Sequence, residues 1–418
     1  MNVKRFDILP TFLFLLVISM PLLVFTGYNF TKNSFLKKFL SSNLTGITVN
    51  TDKESLNIKN WFNHDFSNST TKWFSENMPF RNYLVRLNNQ LYFSLFQKSY
   101  MYDQTIIVGK KKELYEVAYI YDYLGMTGGL RDDERLGLAQ NIRKVQDLFH
   151  KRGILFIVLT TPNKAYTYPE YIPDRYMVRP LPADRDYDTI PKLLEENGTN
   201  YVDGQKILLD ERKKNGQELF PSLGTHWNLL GAGLVTANLM HEIGVSLRKP
   251  VYNIKAKEPF VQDTAGNVGD KDLYNLCNLL VKKDGYSSID PVFETIGSQD
   301  ARKLKVALVG DSFAGNVAYL MVHYGLVSQL DNYFYYTLGS QTFPEDKTRA
   351  TSFSRVWGPR DFIDKDVVVL ETNPRDFSSN LVTMFLEDCQ KYLNLDNAHS
   401  LLQSKESLMP GKLDYLFN

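Results

Sequence analysis

Apolar positions recur along the chain in two patterns, one typical of buried strands and the other of helices with an apolar side. Residues 154–159 and 306–309 are short apolar runs, which predict strands buried on both faces of a parallel sheet. Residues 136–152 and 314–320 have helical spacing instead. Strands that alternate with helices predict an α/β fold with a mainly parallel central sheet. Further predicted strands are 105–109, 113–115, 200–203, 333–337 and 366–370, and further predicted helices are 80–93, 208–214 and 228–243.

The predicted helix at residues 80–93 carries apolar side chains at helical spacing, and we expect it to pack on the core. The amino-terminal run at residues 8–27 is different, because it is uncharged, apolar on all sides and about long enough to span a bilayer. Lys4 and Arg5 precede it, so the positive-inside rule keeps residues 1–7 in the cytoplasm. A cleaved signal peptide is the alternative, although the run is long for one and no small-residue cleavage motif follows.

We therefore predict a single-pass cell-membrane protein whose main domain is extracytoplasmic. The predicted divisions are a cytoplasmic start at 1–7, a transmembrane anchor at 8–28, a polar stalk at 29–74, the main domain at 75–395 and a tail at 396–418. The net charge of the 418 residues is +1, which gives no reason to expect a nucleic-acid partner. Cys277 and Cys389 match no metal-binding spacing, and isolated core thiols are the favoured interpretation over a disulfide.

The clearest candidate chemistry lies in Gly310-Asp-Ser-Phe313, between the predicted strand 306–309 and the predicted helix 314–320. This order puts Ser312 on a turn at the carboxyl end of a strand, where open α/β sheets bind their ligands. The following helix offers free backbone N–H groups there. Ser312 is therefore a candidate nucleophile, although the G-x-S-x-G pattern is absent. A serine that merely caps the helix is the alternative.

A serine hydroxyl attacks only when a base removes its proton, and His226 is the best candidate base. It stands in Thr225-His-Trp-Asn228, just before the predicted helix 228–243, with Asn228 a candidate cap. A lone histidine is more often structural than catalytic, so a structural role is the alternative for His226. The remaining histidines lie in ordinary helical or polar surroundings, where a structural role is favoured: His64, His150, His241, His323 and His399.

The carboxylate that completes a catalytic triad has no clear position in the sequence. Gly224 stands two residues before His226, where a short D-x-H motif would place an aspartate. A backbone carbonyl could hold the imidazole ring instead, and the sequence does not choose among the carboxylates near predicted strand ends or loops: Asp203, Asp210, Glu371 and Asp376.

Two later turns could supply donors for an oxyanion. Gly339 follows one predicted strand and could offer a backbone N–H, and Asn373 follows another and could offer its side-chain amide. Both residue types favour turns anyway, so ordinary turn residues are the alternative. Glu371 and Arg375 could form an ion pair beside Asn373.

The motifs together resemble the SGNH hydrolase superfamily, through Gly310-Asp-Ser-Phe313, the histidine loop and Asn373 after a later strand. The histidine loop precedes the serine strand, and His226 is followed by Trp227. This permuted order is similar to the SGNH-like domain of polysaccharide O-acetyltransferases of the AlgJ/AlgX type. Short segments similar to that family occur in the same order at 76–81, 107–109, 161–173, 201–227 and 269–273, so the resemblance covers roughly residues 75–395.

The resemblance implies a three-layer SGNH-like domain that transfers acetyl groups to a cell-surface polysaccharide or exopolysaccharide. Ser312 would be the nucleophile and His226 the base, with Gly339 and Asn373 as candidate oxyanion donors, and no metal or cofactor is implied. A membrane-bound O-acyltransferase would deliver the acetyl donor. The usual aspartate of the family falls at Gly224. A carbohydrate acetylesterase, or a non-catalytic member that binds glycan or scaffolds the complex, are the alternatives.

Overall fold

The structure is a computed structural model that describes residues 8–36, 44–46, 54–100, 105–262, 268–281, 288–336, 338–344, 352–354 and 359–394. The predicted cytoplasmic start at 1–7 and the predicted tail at 396–418 lie outside these residues. The chain divides into two compact units. The first unit comprises Met1–Val108 and Asp272–Asp284, and the second comprises Gly109–Lys271 and Gly285–Asn418. The predicted division between a stalk and a main domain at residue 75 stays a prediction.

The first unit is mostly helical. Its elements are α1 Ile8–Thr31, α2 Ile58–Phe62, α3 Asp65–Asn77, α4 Arg81–Phe96, β1 Lys98–Tyr100, β2 Thr105–Val108 and the short helix Asp272–Leu276. Helix α1 is long and apolar enough to cross a membrane, in line with the predicted anchor. The predicted stalk contains helices α2 and most of α3. The predicted helix at 80–93 is confirmed as α4, but its predicted packing is wrong, because its leucine side faces outward.

The second unit alternates strands and helices. Its elements are β3 Leu114–Glu116, α5 Val117–Tyr123, α6 Asp132–His150, β4 Leu155–Thr160, α7 Lys164–Thr167, α8 Asp186–Glu196, β5 Tyr201–Asp203, α9 Gly204–Asn215, α10 Leu229–Leu247, β6 Asn253–Gln262, β7 Ser288–Ile296, β8 Leu304–Gly310, α11 Ala314–His323, β9 Val327–Phe334, β10 Gly339–Pro344, β11 Ser352–Ser354, β12 Val367–Thr372 and α12 Asn380–Tyr392.

Among the described residues, seven strands of the second unit form one sheet in the order β11-β10-β9-β8-β12-β4-β5. The five strands from β9 to β5 are parallel, while β10 and β11 add an antiparallel edge. The predicted mainly parallel α/β sheet is therefore confirmed. Strand β12 lies between β8 and β4, and Val368 pairs with Ala307 on one side and Phe156 on the other. The carboxyl ends of these three strands consequently meet at one edge.

Both faces of the sheet are covered, which explains the continuous apolar runs in the sequence. Val306 and Leu308 point into one core, with helices α10 and α11. Ala307 and Val309 point into the other core, with helices α6, α8 and α12. Successive residues of a strand point to opposite faces, so a strand between two helical layers needs apolar residues at every position.

Two parts of the sheet differ from the prediction. The strand predicted at 333–337 begins earlier in the structure, as β9. Its first half was not predicted because Gln329 and Asp331 interrupt the apolar pattern. Residue 337 lies outside the described residues. Asp331 is nevertheless a strand residue, with its carboxylate 2.8 Å from the ammonium of Lys365. The antiparallel pair β6–β7 was not predicted. Cys277 and Cys389 are buried free thiols, as expected.

Candidate active site

The two residues predicted to form the catalytic pair are brought together in the second unit. Nε2 of His226 lies 2.8 Å from Oγ of Ser312, although 86 positions separate them in the chain. Both side chains are partly buried. This distance is within the range that a general base needs to take a proton directly from a hydroxyl group. The geometry therefore suits nucleophilic catalysis by the serine.

The turn that carries Ser312 is shaped by the residues on either side of it. A Cβ atom on Gly310 would lie 2.4 Å from Oε2 of Glu371 and 2.7 Å from Cβ of Ala314, so a larger residue cannot fit without displacement. Oδ1 of Asp311 accepts a hydrogen bond of 2.7 Å from the backbone N–H of Phe313, which closes the turn. Phe313 is the N-cap residue of α11, so Ser312 does not cap this helix.

Aromatic packing ties the histidine loop to the serine turn. The ring of Phe313 lies 4.8 Å from the His226 ring and 5.7 Å from the Trp227 ring, measured between centroids. The side-chain amide of Asn316 donates to the backbone carbonyl of Trp227 at 3.3 Å. Asn228 caps α10 as predicted, since its side chain accepts from the backbone N–H of Gly231 at 2.9 Å. Both catalytic candidates are thus anchored at the start of a helix.

A buried lysine, which sequence reasoning missed, holds the histidine loop from behind. Nζ of Lys164 donates to three backbone carbonyls of this loop, those of Pro221 at 2.6 Å, Ser222 at 3.1 Å and Gly224 at 3.2 Å. It also pairs with the carboxylate of Glu113 at 2.8 Å, and its side chain is only 2% exposed. The backbone at Gly224, two residues before His226, is therefore held by an ammonium group.

Two carboxyl groups lie together beneath the serine turn. Oε2 of Glu371 accepts from the backbone N–H of Asp311 at 2.9 Å, and Oε1 accepts from the hydroxyl of Thr161 at 2.7 Å. Burial, reinforced by the charge of Asp311, raises the pKa of Glu371 well above its usual range. Burial likewise raises the pKa of Asp311 to about 6, and the charge of Asp376 acts in the same direction. Two neighbouring carboxyls cannot both ionise cheaply, so burial and the charge of Asp311 together favour the protonated form of Glu371.

The charge of His226 opposes this shift and lowers the pKa of Asp311, so the two groups interact electrostatically across the site. Sequence reasoning did not single out Asp311 as a partner of the base.

The four carboxylates that the sequence suggested as partners of His226 have other surroundings. Asp203 caps α9 through the backbone N–H of Lys206 at 2.9 Å, three strands away from β8. Asp210 is exposed on α9, Glu371 is bound to Asp311, and burial raises the pKa of Asp376.

The two candidate oxyanion donors, Asn373 and Gly339, are placed differently. Asn373 is fully buried directly after β12; its amide donates to the carbonyl of Thr161 at 3.3 Å, and its oxygen accepts from the hydroxyl of Tyr187. Gly339 pairs with Phe334, which pairs with Gly310. Gly339 is thus two strand spacings, roughly 10 Å, from the end of β8. Both roles stay predictions, and this separation does not favour Gly339.

Tyr335 is a further residue of the site that sequence reasoning missed. Burial raises the pKa of Tyr335 and the neighbouring side chain of Ser312 lowers it, so its hydroxyl lies near Ser312 and stays protonated. Its backbone N–H donates to the carbonyl of Gly310 at 2.8 Å. Tyr335 and Tyr336 both have left-handed backbones, with φ values of 45° and 58°. Such strain in consecutive non-glycine residues is typical of functional sites.

A serine and a base lie at the carboxyl edge of a mainly parallel sheet that helices cover on both faces. This arrangement defines an SGNH-like α/β protein. Residues 131–338, which include both His226 and Ser312, match the family described as "SGNH hydrolase-like domain, acetyltransferase AlgX". The chain belongs to the SGNH hydrolase-like proteins of the AlgJ/AlgX type, a family of acetyltransferases. No group of three or more His, Cys, Asp or Glu residues that could hold a metal ion occurs in the part of the chain that the structure describes.

Several solved structures are similar in fold. The O-acetyltransferase domain of Pseudomonas putida AlgJ is 17% identical, with a TM-score of 0.39 over 72% of this chain and 99% of that one. Pseudomonas aeruginosa AlgX is 14% identical, with a TM-score of 0.43 over 71% of this chain and 68% of that one. Bacillus cereus PatB1 is 9% identical, with a TM-score of 0.39 over 67% and 99%. No curated protein matches the chain by sequence.

Proposed function

We propose that the chain is a membrane-anchored, extracytoplasmic O-acetyltransferase that modifies a cell-surface or exopolysaccharide through a serine acyl-enzyme. The observation that carries this proposal is the 2.8 Å distance between Nε2 of His226 and Oγ of Ser312. The match to an acetyltransferase family over a range that contains both residues supports it. A polysaccharide is proposed as the acceptor because the chain belongs to the AlgJ/AlgX type of family.

In the proposed first half-reaction, Oγ of Ser312 attacks the carbonyl carbon of an acetyl donor while its proton moves to Nε2 of His226. The carbonyl oxygen becomes negative and is stabilised by the backbone N–H of Ser312 beside the start of α11. The charge of Asp311 stabilises the imidazolium that forms. His226 then gives the proton to the leaving group, and the C–O bond to the donor breaks, which leaves acetyl-serine.

In the proposed second half-reaction, a sugar hydroxyl gives its proton to His226 and attacks the acetyl-serine. The serine oxygen leaves, takes the proton back from His226, and the acetylated sugar departs. A membrane-bound O-acyltransferase is the proposed source of the donor. Helix α1 is the proposed anchor, and the unit that contains the site is placed outside the cytoplasm.

The test uses the full chain in detergent, mixed with a chromogenic acetyl ester. Intact mass should show an adduct of about 42 Da, as one acetyl group requires, in the wild type and not in Ser312→Ala. The matched control is Ser246→Ala, an exposed serine of α10, which should retain the adduct. A wild type as inert as Ser312→Ala contradicts the acyl-enzyme and favours the non-catalytic alternative.

A second experiment, in which acceptor sugars are added, distinguishes the transferase from an acetylesterase. A transferase should pass the acetyl group to added oligosaccharide, which gains about 42 Da per acetyl, while release to water stays slow. An acetylesterase discharges the acyl-enzyme to water at the same rate with and without oligosaccharide.

A further inference from the structure

Helix α4 of the first unit turns its apolar side outward. Leu84, Leu87, Leu91 and Leu95 recur every three or four residues on one side of the helix, and we refer to them as the leucine stripe. Their exposed fractions are between 44% and 69%, and Tyr92 and Phe96 beside them are exposed as well. Four exposed leucines in a row on one helix form a contiguous apolar patch, which marks an interaction surface in most proteins.

The opposite side of α4 is polar and faces the rest of the first unit. The side-chain amide of Asn89, which is only 8% exposed, donates to the backbone carbonyl of Cys277 at 2.9 Å. The side-chain oxygen of Gln90 accepts from the backbone N–H of Val281 at 3.1 Å. Arg86 donates to the backbone carbonyl of Leu279 at 3.4 Å. These bonds fix the rotation of the helix, so the leucine stripe faces away from its own unit.

A helix on the surface of a water-soluble domain has the reverse arrangement, with its apolar side inward. Covering a leucine side chain is strongly favourable relative to leaving it in water. The sequence could have placed polar residues at these positions at no cost to the bonds on the other side. The leucine stripe therefore indicates an apolar environment for this side of α4.

The neighbouring helix α3 lies against the proposed membrane anchor. The ring of Trp73 in α3 packs edge-to-face on the ring of Phe25 in α1, with centroids 6.0 Å apart. Phe25 is six residues from the end of α1 at Thr31, or about 9 Å along the axis. A helix of 24 residues is about 36 Å long and the hydrocarbon layer about 30 Å thick. Phe25, and Trp73 packed against it, consequently lie within about 6 Å of the outer boundary of the hydrocarbon layer, in the interfacial region where tryptophan is enriched.

We propose that α4 is an interfacial helix that lies on the non-cytoplasmic face of the membrane, with the leucine stripe in the lipid. The turn at Met78–Phe80 joins α3 directly to α4, and the backbone N–H of Arg81 donates to the carbonyl of Met78 at 3.2 Å. The leucines are therefore within reach of the interface that Trp73 already occupies. An apolar helix side buried among acyl chains under a polar side is the usual geometry of such helices. The proposal rests on the anchor that the proposed function includes.

The test measures the surroundings of single positions in the full chain, reconstituted into liposomes of phosphatidylethanolamine and phosphatidylglycerol. A nitroxide is attached at Leu87→Cys or Leu91→Cys, and its accessibility to oxygen and to a water-soluble nickel chelate is recorded. The two native cysteines are buried and do not compete for the label. Matched controls are Leu16→Cys in α1 for lipid and the exposed Lys192→Cys in the second unit for water.

We expect the ratio of oxygen to nickel accessibility at Leu87→Cys and Leu91→Cys to approach that of Leu16→Cys and to exceed that of Lys192→Cys at least about threefold, since oxygen concentrates in lipid. A ratio equal to that of Lys192→Cys overturns the proposal. Low accessibility to both reagents also overturns it and indicates that a second copy of the chain covers the stripe. Because Leu16→Cys reports on the anchor and no acetyl chemistry is measured, failure here is distinguishable from failure of the proposed function.

Discussion

Lys164 places a single positive charge where the histidine loop has only backbone oxygens to bind. Replacing it with methionine keeps much of the side-chain volume and leaves Glu113 as an unpaired, mostly covered carboxylate beside three carbonyls without their donor. Breaking a buried pair in this way costs about 3–5 kcal/mol. We expect Lys164→Met to lower the free energy of unfolding by that amount and to reduce ester turnover, as measured by denaturant unfolding and kcat/KM.

The matched variant is Lys192→Met, which removes an exposed lysine from α8. It should change the free energy of unfolding by no more than about 0.5 kcal/mol. If both variants unfold alike and turn over substrate alike, Lys164 does not position the histidine loop.

Tyr335 offers a hydroxyl beside Ser312 on a strained turn. We expect Tyr335→Phe to reduce kcat about tenfold while KM stays within about twofold, since one hydrogen bond to the reacting group is worth about 1.4 kcal/mol. Tyr336→Phe is the control, because its hydroxyl bonds to Asp388 at 2.9 Å instead. Equal kcat values for the two variants would show that Tyr335 only packs at the site.

Single residues differ in how far they could be predicted. Ser312 and His226 stand in short local motifs, so the sequence was enough to name them. Lys164 and Tyr335 act through contacts with segments about 60 and 20 positions away, and no local pattern marks such contacts. Asp311 lies beside Ser312 in the motif, yet its partner Glu371 comes from another strand.

At the level of elements, the junction of β8 and α11 depends on a glycine. Gly310→Ala would press a methyl group on Glu371 and Ala314, and overpacking of this kind costs about 1–3 kcal/mol. We expect this variant to lose at least about tenfold in kcat/KM, because displacement of the turn lengthens the distance between Ser312 and His226. Circular dichroism should show unchanged secondary structure.

Gly315→Ala is its control in the same motif, since a Cβ there meets no atom within 4 Å. Alanine in a helix should stabilise the protein by up to about 1 kcal/mol and leave kcat/KM unchanged. Loss of activity in both variants would mean that the helix rather than the fit at Gly310 controls the site.

Elements buried on both faces were the easiest to predict, because β4, β8 and β12 need apolar residues throughout. The start of β9 was not predicted, because the charged Asp331 is buried there through its ion pair with Lys365, a residue of another segment. For α4 the periodicity was sufficient to predict a helix. It could not show which side faces the protein, because polar side chains bind backbone groups of residues 277–281 there.

At the scale of the whole molecule, the buried acids make stability depend on pH. The raised pKa of Asp311, about 6 against 3.8, means that the native protein binds more protons than the unfolded chain between these values. Stability from this group is complete below about pH 4 and is lost as the pH rises through about 6. We expect Asp311→Asn to remove a difference of about 2 kcal/mol in the free energy of unfolding between acidic and neutral pH. Free energies of unfolding at pH 4.5 and 7.5 would measure it.

The exposed Asp210→Asn should keep the slope of the wild type. A slope that is unchanged in Asp311→Asn would assign the pH dependence to Glu371 alone, and one that is steeper would contradict the raised pKa of Asp311.

The order of strands has a consequence for the time at which the site assembles. Strand β12 joins the half of the sheet that carries Ser312 to the half from which Lys164 holds the histidine loop, although it follows both along the chain. A ribosome must therefore release residue 372 before the two halves can pair, and such distant pairings form slowly. Until then the histidine loop lacks the hold of Lys164 from the other half of the sheet. Activation of the nucleophile is thereby coupled to the completion of the sheet.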